Sequence, residues 1–242
     1  VASDIDASFD LITSATDQNV TDINSIIANT TGTVTGTVTG TPQRMADITL
    51  STASGGDATK NLTVNAVGSG DLTALNLSEV DTLTLDDTTT LPDSDADMPP
   101  TVDFGSQNVT LSGNININSS TTSNLGTFAV GSNTLTGSAA KLDGVTVGGA
   151  GTTAVTALHS TLDADLSGID TTTTTAAFDG NGTFIGTLDD AVVTVGDGFT
   201  MTAAATKVAG ETVNKVTDGK LAVTVGTGDA GVDLTTISGT AI

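Results

Sequence analysis

Residues 134–147, TLTGSAAKLDGVTV, align without gaps onto residues 200–213, TMTAAATKVAGETV. Seven of the fourteen positions are identical: Thr134/Thr200, Thr136/Thr202, Ala139/Ala205, Lys141/Lys207, Gly144/Gly210, Thr146/Thr212 and Val147/Val213. A second marker follows each copy, Asp165-Leu-Ser-Gly-Ile169 and Asp233-Leu-Thr-Thr-Ile237, 68 residues apart against 66 for the first pair. A third instance, Asp71-Leu-Thr-Ala-Leu75, follows KNLTVNAVGSG, which echoes the later GKLAVTVGTGD. Repetition at this period constrains the fold strongly. A repeat with few large side chains cannot close a core by itself, whereas stacked copies share one.

The composition says what is stacked. Thr supplies 50 of 242 residues, Asp 26 against two Glu (Glu79, Glu211), and aromatic residues only 2%. Thr is β-branched and favours extended backbone, while Asp, Asn and Gly favour turns. Short alternating segments recur between turn residues, among them Leu62-Thr-Val64, Leu83-Thr-Leu85, Val109-Thr-Leu111, Ile115-Asn-Ile117, Val192-Val-Thr-Val195 and Leu221-Ala-Val-Thr-Val225. Alternation puts apolar side chains on one face and polar ones on the other. The fold class expected is mostly β, a repeat-built parallel β-solenoid in which each repeat of about 66 residues supplies about three rungs. Tandem immunoglobulin-like sandwiches space their strands similarly, but the chain has no Trp or Tyr for the usual sandwich core.

Four regions follow. Residues 1–30 carry Ile5, Phe9, Ile12, Thr16, Asn19, Ile23 and Ile26 at alternating four- and three-residue steps, with Ser3 and Asp6 as an N-cap signature. That spacing predicts a helix acting as cap or coupler. Residues 31–133 open with a tandem TGTV run, an extended linker or first strand, and contain an acidic loop over 86–103. Residues 134–199 are a repeat and 200–242 a partial one. No apolar run is long enough to span a membrane, and the opening residues have neither the basic nor the apolar segment of a signal peptide.

The combination TxTAAA…K…GxTV, AVTAL, DADLSGIDTTTTTAAFDGNGTFIGTL and AVVTVGDG resembles tandem repeats of large bacterial surface proteins and S-layer-like adhesins. Leu75-Asn-Leu-Ser-Glu-Val-Asp-Thr-Leu-Thr-Leu85 is similar to the rungs of S-layer β-solenoids. The resemblance covers about residues 70–85 and 126–242. It implies an extracellular or cell-surface location and a non-enzymatic scaffold or adhesive role, with the chain itself as partner. The glycine-aspartate calcium nonapeptide of β-rolls is absent, so calcium dependence does not come over with it.

Charge and chemistry narrow the options. Six basic residues against 28 acidic ones give a formal net charge of -22, which argues against nucleic-acid binding. Without Cys there is no disulfide framework. The candidate cation ligands are Asp93, Asp95 and Asp97 in LPDSDADMPP, with Asp86 and Asp87 upstream, because alternating carboxylates in a loop suit calcium. A solvated acidic loop is the competing reading. Asp163, Asp165 and Asp170 form a further acidic set within the repeat, and Asp189, Asp190 and Asp197 read as turn residues. His159 beside Ser160 is the one imidazole, and no G-x-S-x-G accompanies it. Arg44 stands alone and no Trp or Tyr offers a sugar platform, so a β-helical carbohydrate-active enzyme is the weakest reading. A ligand-binding adhesin module recognising carbohydrate or a surface partner stands between the two. Asn-x-Ser/Thr sequons at Asn19, Asn29, Asn61, Asn76, Asn108, Asn118 and Asn181 permit glycosylation.

Overall fold

A computed structural model of the chain describes residues 5–10, 25, 33–42, 59–72, 80, 82–91, 98–227 and 229–240. Two compact units divide it, Val1–Ala129 and Val130–Ile242. Both are parallel β-solenoid, with about eight turns between them and few helices. Every strand pairing described within either unit is parallel, which removes the immunoglobulin-like alternative, since a sandwich is built from antiparallel ladders.

In the first unit, β1 (Ile5–Asp10), β2 (Thr33–Gly40), β3 (Thr59–Ala66), β5 (Thr82–Leu85), β7 (Thr101–Asp103) and β10 (Thr121–Ser123) lie side by side in that order. A second column stacks β4 (Gly70–Asp71), β6 (Thr89–Leu91), β8 (Asn108–Leu111) and β11 (Thr127–Ala129); β9 (Ile115–Asn116) lies between β8 and β10 in sequence. Strict alternation makes the rungs stack in register. Val38, Val64, Leu83 and Val102 are consecutive register partners, and each is at most 2% exposed. The residue before each of them is a threonine, so Thr37, Thr63, Thr82 and Thr101 form an outward column, which Thr121 on β10 continues. Neighbouring strands of a sheet are ~4.8 Å apart, so like sits on like and no core residue needs to be large. The exception is Phe104 against Phe128, edge to face with centroids 5.3 Å apart and both fully buried.

The N-terminal helix expected over 1–30 does not begin as one. Ile5–Asp10 is β1, paired along its whole length with β2, and Phe9 takes the register position of buried Val38. Ile5, Ala7 and Phe9 satisfy a two-residue period as well as the helical one. A helix whose stripe is polar at Thr16 and Asn19 has little apolar surface to bury, whereas pairing along β2 satisfies the backbone and puts Phe9 in register with buried Val38. Apart from Ser25, residues 11–30 lie outside the described residues.

The second unit begins with β12 (Thr134–Ser138), the one-turn helix α1 (Ala139–Leu142) and β13 (Thr146–Thr156). A 3-10 turn (Leu158–Ser160) precedes β14 (Ile169–Phe178), β15 (Gly182–Phe184), β16 (Val192–Val195) and β17 (Thr200–Ala204). The one-turn helix α2 (Ala205–Val208), β18 (Val213–Lys215), β19 (Lys220–Thr224) and a 3-10 turn (Leu234–Thr236) complete it. The repeat is now explained: β12–α1–β13 and β17–α2–β18 are the same device. Ala139 and Ala205, Leu142 and Val208, and Val147 and Val213 are all 0% exposed, and Gly144 and Gly210 both turn at positive φ, 67° and 86°. Val155, Ala176, Val193 and Val213 are consecutive register partners along the buried column.

Candidate functional sites

The acidic residues act on backbone. Asp86 Oδ1 accepts the Gly68 N–H at 2.6 Å, and Asp87 Oδ1 accepts the Thr88 N–H at 2.6 Å. Both side chains are exposed, and each commits its Oδ1 to a different N–H group. Asp93, Asp95 and Asp97 lie outside the described residues. Among the described residues no group of three or more acidic or histidine side chains is arranged to hold a metal ion.

Other carboxylates repeat this pattern. Asp103 Oδ1 accepts the Gly105 N–H at 3.0 Å and the Asn124 Nδ2–H at 2.8 Å, the latter from the neighbouring rung. The Gly105 bond first, then that of Asn124, holds the Asp103 carboxyl below the usual aspartate range. Asp165 and Asp233, the heads of the two DLxxI markers, accept the N–H two residues on, from Ser167 at 3.1 Å and Thr235 at 2.9 Å. The hydroxyl bond of Ser167 lowers Asp165 most, with Lys207 a small contributor; Thr235 does the same for Asp233. Asp is selected over Glu here because its short side chain reaches a turn N–H without loss of rotamer freedom.

Asp189 and Asp190 are turn residues, both in the left-handed region at φ 49° and 68°. With Asp170, Thr171 and Thr173 they line a groove of about 420 Å³ in the second unit. Behind this turn sits Glu211, which composition alone did not single out. In the repeat alignment it replaces Val145, a buried position, so its carboxyl is taken where the repeat places a methyl-bearing side chain. Burial first, and the charges of Asp190 and Asp189 next, push its pKa up, against one backbone hydrogen bond from Asp190. Its Oε2 is buried without a hydrogen-bond partner. The repeat carried the signal, an apolar-to-acid exchange at a core position.

His159 and Ser160 are adjacent on the 3-10 turn, Nε2 and Oγ 3.1 Å apart. The ring lies edge-on to Phe178 and over Gly180, and its Nδ1 is buried with no partner. A serine base needs Nδ1–H held by a third group, as a carboxylate does in a triad; nothing bonds Nδ1 here. With Nδ1 unbonded, no third group orients the ring toward Ser160. Lys141 and Lys207 sit in the last turns of α1 and α2, and burial lowers the Lys141 pKa. Of the sequons, Asn181 commits its Oδ1 to the Thr200 N–H at 2.7 Å.

No protein-family model, curated protein or solved structure matches this chain. No helix among the described residues is long and apolar enough to cross a membrane.

Proposed function

We propose that the chain is a non-enzymatic structural protein of the cell exterior, a repeat-built scaffold that associates with copies of itself in a surface layer, filament or adhesin stalk. The observation that carries this reading is the register: Val38, Val64, Leu83 and Val102 repeat one buried position rung after rung, so the core of the first unit is built by stacking. The lone imidazole lacks the third group that would make Ser160 a nucleophile. A charge of -22 opposes close packing of copies, and divalent cations such as calcium between acidic faces are the expected remedy. Negative-stain microscopy and light scattering with and without calcium test the reading. Ordered assemblies support it; monomers under both conditions overturn it.

A second reading, an adhesin module that recognises carbohydrate or a surface partner, is favoured by the groove that Asp170, Asp189 and Asp190 line together with Thr171, Thr172 and Thr173. A glycan array decides it.

A further inference from the structure

β19 is the end strand of its sheet. β17 pairs along its inner edge, and among the described residues no strand pairs along the outer one. Leu221 and Val223 continue the buried column of Met201 and Ala203, both 0% exposed, yet are themselves only half-buried. The repeat supplies the control. Leu234 in the second DLxxI marker is 39% exposed, whereas Leu166 at the same place in the first is 0% exposed, beside the rung that Asp165 joins at Thr187. Val225, just past β19, is exposed too. This end of the second unit presents core positions that the repeat elsewhere covers with another rung.

The end strands of the two units carry charge of opposite sign. Lys215 on β18 and Lys220 on β19 are exposed, and neither strand contains an acid. β1 is the end strand of its own sheet, with no strand on its other edge among the described residues, and it contains Asp6 and Asp10 and no base. Its register with β2 puts Ala7 and Phe9 at the positions of Gly36 and Val38, and Asp6 at that of Thr35.

We infer that β19 is a docking edge for β1 of a second copy, laid on in parallel with Leu221 beside Ala7 and Val223 beside Phe9. That docking rests on the self-associating scaffold proposed above and specifies which surfaces meet. One register satisfies both the apolar and the charged positions, because the same pairing sets Lys220 beside Asp6 and Ala222 beside Ser8. A one-residue slip would exchange the apolar and polar positions of the whole strand. β19 meeting β19, or β1 meeting β1, gives no lysine an acid, so unlike ends pair. An unlike contact leaves a free β1 and a free β19 at every step, so copies add head to tail. The net charge of -22 opposes the approach of whole copies. At about 0.15 M salt it is screened beyond about 8 Å, while Lys220 and Asp6 meet directly.

Two measurements on the whole 242-residue chain test this contact. The chain has no Cys, so Ser8→Cys and Ala222→Cys variants, mixed and oxidised, report on this register, because parallel neighbours ~4.8 Å apart are within disulfide reach. The mixed disulfide is expected to exceed both like disulfides, and Lys220→Glu in the second variant to lower its yield by about fivefold. Asp6→Lys in the first variant then restores it. In the unmodified chain, zero-length carbodiimide cross-linking of isotopically light and heavy copies joins Lys220 of one copy to Asp6 of another, which decides even if a variant does not fold. Equal yields of all three disulfides overturn the contact. Assembly seen by light scattering without either link also overturns it and leaves the scaffold reading standing, whereas no link and no assembly overturn the two together.

Discussion

Asp190 donates its backbone N–H to the Glu211 carboxyl while its own side-chain charge drives that carboxyl toward the protonated form. Burial is the first cause of that rise, and the repulsion that adds to it comes from the same residue as the hydrogen bond. The second Glu211 oxygen has no partner at all. This is a destabilised position that the rest of the second unit tolerates.

Glu211→Val, the residue the repeat itself uses at 145, is therefore expected to stabilise the second unit. Recovered apolar burial and the removed charge amount to about 1 kcal/mol, or about 4 °C in Tm for a unit of this size. The sign with pH follows from a raised acid pKa. The wild-type penalty is absent below the ordinary glutamate value of about 4.3 and fully present above the raised folded value, so the advantage of Glu211→Val grows as pH rises. Thermal melts at several pH values check this; equal or lower melting of the variant at neutral pH refutes it.

Asp103 behaves oppositely, because its folded pKa is lowered by the Gly105 and Asn124 bonds. Its contribution is present above the unfolded aspartate pKa of about 3.9 and is lost as pH falls through the lower folded value. Asp103→Asn keeps an acceptor oxygen for Gly105 and removes the titration. Denaturant midpoints of the two proteins are expected to differ most at neutral pH and to converge below the folded pKa. Parallel curves across the whole range count against the assignment.

Two glycines separate crowding from backbone handedness. A Cβ at Gly126 would lie 1.9 Å from the Gln107 carbonyl oxygen and 2.6 Å from its nitrogen, on backbone that cannot yield. Gly126→Ala is expected to cost about 3 kcal/mol or more. A Cβ at Gly210 would meet nothing within 4 Å, so Gly210→Ala strains its φ of 86° without crowding and costs about 1 kcal/mol. Urea titrations of the two variants rank them; the reverse order contradicts the rung spacing.

Phe104 and Phe128 are edge to face at 71° within the first unit. Truncating either to alanine costs about 3–5 kcal/mol. The double variant is expected to show a coupling of about 1 kcal/mol, measured by a double-mutant cycle in urea. Strict additivity excludes a specific ring contact.

Much of the fold was legible in particular residues. The alternation in Leu83-Thr-Leu85 and Val109-Thr-Leu111 is β5 and β8, and the identities Ala139/Ala205 and Val147/Val213 are buried positions of one repeated device. The acidic sites were less legible. Asp143 Oδ1 accepts the Asp165 N–H at 2.7 Å, and neither residue shows it in the sequence, because partners 22 residues apart meet only once a rung has closed. Asp86 looks the same to composition whether it holds a cation or caps Gly68. His159 beside Ser160 is equally ambiguous until Nδ1 is seen to be buried without a partner.

By itself the sequence determined that the chain is built of short strands with small core side chains and that its repeats share a core. That the strands pair in parallel as stacked rungs, and not as antiparallel sandwiches, was decided by the tertiary structure. Tertiary structure decided which aspartate caps which N–H, that Glu211 is pressed against Asp190, and that Ile5–Asp10 runs as a strand. The physical reason is the same in each case. Apolar period is a local property that every short segment displays, whereas a hydrogen bond or a charge acts on what the adjoining rung brings alongside.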